Sequence, residues 1–491
     1  MNQRGFYRPR GAWVGDVIPW HEDGVFHLFY LHETRRVPAE GMPWHRVVSH
    51  DLVEFDEVGE AIASGGPEAP DFNIYTGSIV RDEAGLHHAF YTGQNPARTG
   101  ADGRPLQLVL HATSSDGLRT WQRRPADTFG ATAGYETGDW RDPFVFRDDD
   151  AGLWRMLVTA RHADGPERRR GVIAQCVSTD LSTWEPAEPF WDPRRYIAHE
   201  CPEVFEWNGW WYLVYSEFSD AFTTRYRMSR SLHGPWTTPV HDTIDGRAYY
   251  AAKSAARDGR RFFFGWIASR EGSTDDGPWQ WAGTLSVLEA TQRADGTLAF
   301  HPTAELRETF GSTATALPSG TVLHAPDGYT DLLTTADAAD EVRLVARFDV
   351  APGTTECGVL LRASPDGDEG YVLRLEPRRG RLVLDRWPRR TTGTEQWQIS
   401  GDVPYAVELE RPCTIAPGEH VLEVILAGEL VVATLDDATV LSTRVYDRPT
   451  GRLGAFVGEG TLTLLEFSTH TRAEHPETAA AQGDPLAHVT V

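Results

Sequence analysis

Five short strands of apolar and aromatic residues recur along the N-terminal part of the chain: "FHLFY" (26–30), "HHAFY" (87–91), "WRMLV" (154–158), "WYLVY" (211–215) and "FFFGW" (262–266). Their starts lie roughly 50 to 70 residues apart, which is the spacing of an array of repeated units rather than of one open sheet. A second element follows four of them: "SHDLVEF" from Ser49, "SDGLRTW" from Ser115, "STDLSTW" from Ser178 and "SRSLHGPW" from Ser229. Each copy has a serine, then a leucine three positions on, then an aromatic three or four positions further. Alternating strands such as "LVLHAT" and "VIAQCV" precede these copies, and turns with Pro or Gly follow. All-strand units of this length predict propeller blades, and five of them fill residues 1–305.

Beyond "GTLAFHP" the pattern changes. "TAELRETFG" predicts a short helix leading into a linker over residues 306–320. Strands such as "EVRLVARFDV", "CGVLLRAS", "GYVLRLEP", "RLVLDRW", "HVLEVILAGELVVATLD", "TVLSTRVYD" and "GRLGAFV" then alternate apolar with polar residues between turn signals. They predict a β-sandwich over 321–475. The polar, Ala-rich residues 476–491 read as a flexible or docking tail. The expected fold is thus all-β, a five-bladed β-propeller followed by a C-terminal β-sandwich.

Composition narrows the partners. A chain of 491 residues is too long for one ordinary core. A formal charge of -24 repels polyanions, and the one basic run, "PERRRG", is too short to make a nucleic-acid stripe. Nothing approaches the run of about 18 apolar residues that a membrane helix needs. The first residues lack the apolar stretch and cleavage site of a signal peptide, and Cys176, Cys201, Cys357 and Cys413 are too scattered for a disulfide framework or zinc cluster. A cytoplasmic protein is expected. Seventeen Trp, 15 Tyr and 21 Phe supply rings for a core and flat faces on which a sugar can stack.

Asp16 stands ten residues before "FHLFY". Comparable offsets in the other repeats fall on Ser78, Asp142, Glu200 and the segment Tyr250 to Lys253. If that segment is the innermost strand of each blade, the five positions ring the central axis at one end, and three of them are carboxylates. Taken singly, each acid is an ordinary turn or cap residue. Together they suit cleavage of a glycosidic bond, which needs one carboxyl kept protonated and another kept ionised. Adjacency suggests how the two differ: Arg141, if turned inward, favours the ionised form of an acid near Asp142, whereas Glu200 between His199 and Cys201 has a less charged setting.

"WVGD" (13–16), "WHRVVSHDLVEF" (44–55), "YTGS" (75–78), "WRDPFVF" (140–146) and "ECPEVF" (200–205) together resemble glycoside hydrolase family 32, the invertase, levanase, inulinase and fructosyltransferase family. "GRAYYAAKS", "RRFFFGWI" and "WAGTLS" continue that resemblance in order, and "CGVLLRASPDGDEGYVLRLEP" resembles the family's C-terminal sandwich. The resemblance implies Asp16 as nucleophile, Glu200 as acid/base and Asp142 as the transition-state stabiliser that binds sugar hydroxyls. It implies a covalent fructosyl-enzyme with retention, which requires the Asp16 and Glu200 carboxyls roughly 5 to 5.5 Å apart. Trp44, Tyr75, Ser78, Arg141, Tyr250 and Trp266 match positions lining the pocket for the terminal sugar. This chemistry needs no metal or organic cofactor, the partner is a small oligosaccharide, and the resemblance allows a homodimer through the C-terminal region.

The chain also departs from the family. Where the family motif reads Asn-Asp-Pro-Asn-Gly, this chain has Gly15-Asp16-Val17-Ile18-Pro19; His45 and Arg46 replace a Gly and a His, and Leu31-His32 replaces a Gln. The acids stay while their surroundings change. The leading expectation is a retaining exo-acting β-fructofuranosidase-type hydrolase. The alternatives are a fructosyltransferase on the same site, another furanosidase such as an inverting arabinofuranosidase, and a non-catalytic carbohydrate-binding protein.

Overall fold

A computed structural model describes residues 4–388 and 409–472. By contact the chain divides into two compact units. The first comprises the residues up to Thr303 together with Leu409–Cys413 and Asp437–Asp447, and the second begins at Ala304.

The first unit is a five-bladed β-propeller. Three blades are four-stranded: Trp13–Glu22 to Asp56–Ile62, Asn73–Arg81 to Gln122–Arg123, and Tyr135–Asp148 to Glu185–Trp191. The fourth has Glu200–Trp207, Trp210–Glu217 and Thr223–Ser229, extended by bridges from Arg225 to Thr243 and from Met228 to Thr237. The fifth has Tyr249–Arg257, Arg260–Arg270 and Trp279–Gln292. Its outer edge is shared by Leu298–Pro302 and by Phe6–Tyr7 from the start of the chain, so the ring is closed by pairing its first strand with its last blade. The five repeated strands are the second strand of each blade.

In three of its four copies the serine–leucine element is a turn with one recurring geometry. Ser49 and Ser178 accept the backbone N–H of Leu52 and Leu181, and Asp51 and Asp180 accept the next amides. In the second blade the hydroxyl is that of Ser114, one residue earlier than the pattern suggests. Leu52, Leu118 and Leu181 adopt positive φ of 64°, 66° and 62°. The aromatics that close these turns pack between blades: Phe55 against the first and fifth, Trp121 against the first and second, Trp184 against the second and third, and Trp236 against the third and fourth. Most of the aromatic richness is therefore core.

The innermost strand of every blade carries a register shift: between Val14 and Val17, Tyr75 and Gly77, Arg141 and Phe144, Glu200 and Glu203, and Tyr250 and Lys253. A bulge adds a residue, bends the strand and re-aims its side chains. Asp142, Cys201 and Ala251 take positive φ there, at 57°, 49° and 54°.

The second unit is a β-sandwich. Its 21-residue strand Arg452–Arg472 pairs with Phe310–Thr315, Val322–Asp337, Glu341–Val350 and Glu356–Ala363. A hairpin at "LAGEL" joins Gly418–Ala427 to Leu430–Leu435. Two segments differ from expectation. Within 306–320 the chain completes the helix Ala304–Glu308 and forms the strand Phe310–Thr315. "TVLSTRVYD" forms the expected strand, Thr439–Arg444, but by contact it groups with the first unit, where Ser442 N–H donates to Asp245 and Arg444 donates to the carbonyls of Ile267 and Ala268. The expected tail at 476–491 lies outside the described residues.

Candidate active site

The bulges gather the three acids at a cavity of about 510 Å3 lined by Asp16, Asp142 and Glu200. They do not occupy one equivalent position, as equal offsets suggest. Glu200 is the last paired residue before its bulge, Asp142 is the first bulged residue, and Asp16 is the second. Three neighbouring positions on three blades thus converge on one volume.

Asp16 is held by uncharged donors. Its Oδ2 accepts the Thr76 hydroxyl at 2.5 Å and faces the Cys201 thiol at 3.6 Å, while Oδ1 accepts Trp266 Nε1–H at 3.0 Å. Burial raises its pKa above the ordinary carboxylate value and the charge of Asp142 adds to the rise, whereas the hydrogen bonds from Thr76, Trp266 and Cys201 oppose it. Asp142 is buried. Its Oδ2 accepts Cys201 N–H and faces the Thr159 hydroxyl, both at 3.0 Å, and its own N–H donates to Thr92.

Glu200 has a different environment. Its Oε1 accepts Arg141 Nη2–H at 3.0 Å and its Oε2 accepts the Tyr250 hydroxyl at 2.7 Å. Burial raises its pKa, Arg141 pulls it down, and the charges of Asp142 and Asp16 push it up. The less charged setting expected for Glu200 is therefore not found: Arg141 pairs with Glu200 and stands 3.8 Å from Asp142. Successive residues of a strand point to opposite faces, so sequence neighbours are poor partners here. His199 likewise turns away; its ring packs 5.0 Å from both Trp191 and Tyr215, and burial pushes its pKa down to about 3. Burial opposes the charge of Arg141, yet Glu200, Asp142 and Asp139 together hold it firmly protonated.

Of the other residues singled out in the sequence, Tyr75 and Arg141 line the cavity. Trp266 and Tyr250 stand behind the acids as hydrogen-bond donors. Trp44 is buried and donates to the carbonyl of Tyr75, supporting it from behind. Ser78 is not brought to the cavity: its hydroxyl donates to Pro143 O and accepts Val145 N–H, tying the second blade to the third. The bulge places Thr76 at Asp16 instead. Thr76 lay inside the "YTGS" stretch, and Asp139 stood one residue before "WRDPFVF"; both were missed because nothing local marks which way they turn. Trp281 and Phe218 add exposed rings at the cavity wall. Among the described residues no group of three or more His, Cys, Asp or Glu side chains is arranged to hold a metal ion.

Carboxylates with contrasting surroundings, set in a polar cavity on a propeller axis, define the class of site that works on glycosidic bonds. Residues 7–302 match the glycosyl hydrolases family 32 N-terminal domain, and the chain belongs to that family. Sucrose-6-phosphate hydrolase of Escherichia coli is 26% identical over 324 residues, covering 60% of this chain and 63% of that protein. Among solved structures, fructan 1-exohydrolase IIa from Cichorium intybus superposes with a TM-score of 0.74 at 18% identity, covering 96% of this chain and 97% of that one. Exo-inulinase from Aspergillus awamori does so with 0.75 at 18%, covering 96% and 98%. This chain therefore shares their fold.

Proposed function

We propose that the chain is a retaining, exo-acting glycoside hydrolase of β-fructofuranosidase type that removes terminal fructofuranosyl units from short oligosaccharides. The observation that carries this reading is the contrast between Asp16, held by neutral donors alone, and Glu200, paired with Arg141 in the same cavity. The relatives support the substrate class, since one is named for hydrolysis of sucrose 6-phosphate and another was crystallised with 1-kestose.

In this mechanism Asp16 attacks the anomeric carbon while Glu200 delivers its proton to the leaving oxygen. The donors on Asp16 align its carboxylate, and Asp142 binds hydroxyls of the bound sugar. Once Glu200 has lost its proton, Arg141 and Tyr250 stabilise the carboxylate. Glu200 then takes a proton from water, whose oxygen displaces Asp16 from the sugar and restores both groups. A sugar hydroxyl in place of that water gives fructosyl transfer on the same residues.

The stereochemistry tests the reading. Turnover of 1-kestose in the presence of methanol gives methyl β-fructofuranoside if the chemistry retains configuration. The α-anomer as first product contradicts Asp16 as a covalent nucleophile. Turnover confined to aryl arabinofuranosides places the same site in another furanosidase, and sugar binding without any turnover makes the chain a binding protein.

A further inference from the structure

Two further carboxylates, Glu33 and Asp139, line the cavity, and the three-acid reading uses neither. Asp139 is buried, lines the cavity and sits two residues before Arg141. Its Oδ1 accepts Arg141 Nη1–H at 2.7 Å, its Oδ2 accepts Arg104 Nη2–H at 2.5 Å, and Arg161 Nε lies 3.5 Å away. Arg141 is thereby stretched between two acids, with Nη1 on Asp139 and Nη2 on Glu200. The amide oxygen of Gln107 meets the same Nη1 at 3.3 Å. A guanidinium is planar and its donors form a fixed fork, so anchoring Nη1 fixes where Nη2 points.

We propose that Asp139 is a positioning residue: it fixes the plane of Arg141 and offsets part of its charge, and so sets how readily Glu200 gives up its proton. The proposal rests on reading Glu200 as the acid/base. The neighbouring charges leave Arg141 as the cation that reaches Glu200. Arg104, Arg161 and Arg170 all engage Glu136, and Arg161 and Arg170 also engage Glu167. Glu200 itself faces Arg141, the Tyr250 hydroxyl, and the charges of Asp142 and Asp16. Without the Asp139 charge, Arg141 is shared between Glu200 and Asp142 alone, and its stronger pull favours the ionised form of Glu200. Without Arg104, the Asp139 carboxylate draws more strongly on Arg141 and Glu200 holds its proton to higher pH.

The test reads Glu200 directly. In protein carrying 13C-carboxyl glutamate, the Glu200 resonance is assigned by its loss in Glu200→Gln and titrated in the parent, Asp139→Asn and Arg104→Gln. The expected result is a Glu200 pKa lower in Asp139→Asn, since losing a nearby like charge favours the ionised carboxyl, and a rise in Arg104→Gln. A Glu200 titration unchanged in both variants overturns the proposal, and so does a rise in Asp139→Asn; Asp139 is then an anchor between blades, visible only as a lower melting temperature. If Asp139→Asn fails to fold, Arg104→Gln decides by the same readout: an upward shift supports the proposal and an unchanged value overturns it. The titration needs no substrate, so its outcome stands apart from the functional reading. That reading fails separately if Glu200→Gln turns over 1-kestose as fast as the parent.

Discussion

Trp266 donates its indole N–H to Asp16 Oδ1 across 3.0 Å, joining the fifth blade of the propeller to the first at the point where the ring closes. The proposed nucleophile is thus held by residues far from it in sequence, and its ionised form is stabilised by donors that carry no charge.

Trp266→Phe keeps most of the ring and removes the donor. Hydrogen bonding to the charged form lowers a carboxyl pKa, so its loss raises that of Asp16. The acid limb of the pH profile of kcat/KM then moves to higher pH, and kcat/KM falls about tenfold or more, the effect of losing a hydrogen bond to a charged group. A pH–rate series on 1-kestose checks both.

Thr76→Val replaces the hydroxyl donated to Asp16 Oδ2 with a methyl of similar shape. It should lower kcat/KM by about 10- to 100-fold, while Thr76→Ser, which keeps the donor, should restore most of the loss. Equal losses in both variants would show that the Thr76 methyl matters and its hydroxyl does not.

Gly15→Ala tests the altered surroundings of the proposed nucleophile. A Cβ at residue 15 would lie 2.4 Å from Cη2 of Trp281 and 2.9 Å from Cβ of Leu31. The Trp281 ring is edge-on to Trp266 with 5.9 Å between centroids, and Leu31 is buried in its strand, so its Cβ cannot give way without moving the backbone. Overpacking of this kind costs about 1–3 kcal/mol, and it displaces a ring of the cavity wall. The expected outcome is a raised KM and a lower denaturation midpoint.

Leu28→Ala probes the frame apart from the site. Leu28 is fully buried between the first and fifth blades, in one cluster with Val17, Phe262 and Phe264. Truncation should cost about 2–5 kcal/mol by urea unfolding, with activity per folded molecule unchanged at 25 °C.

The blades were legible because their signals are local: "WRMLV" and "STDLSTW" declare a strand and a turn from adjacent residues. Asp16, Asp142 and Glu200 could be singled out because they stand at comparable offsets before the second strand of their blades. The bulges could not be read, and a register change of one or two residues decides that Thr76, not Ser78, meets Asp16. Reach across blades was equally hidden. Nothing beside Arg141 shows that its fork spans Asp139 and Glu200. In the sandwich, "GRLGAFV" marked the first third of a strand that runs on to Arg472 through a more polar stretch.

The central claim is that Asp16 attacks a fructofuranoside within this cavity. The measurement that tests it most directly is fructose released from sucrose and 1-kestose by the parent and by Asp16→Asn, both checked for folding by circular dichroism. The account predicts release by the parent and a fall of at least about 10³-fold in the variant, the scale seen when a covalent nucleophile is removed. A folded Asp16→Asn that releases fructose at a rate close to that of the parent contradicts it.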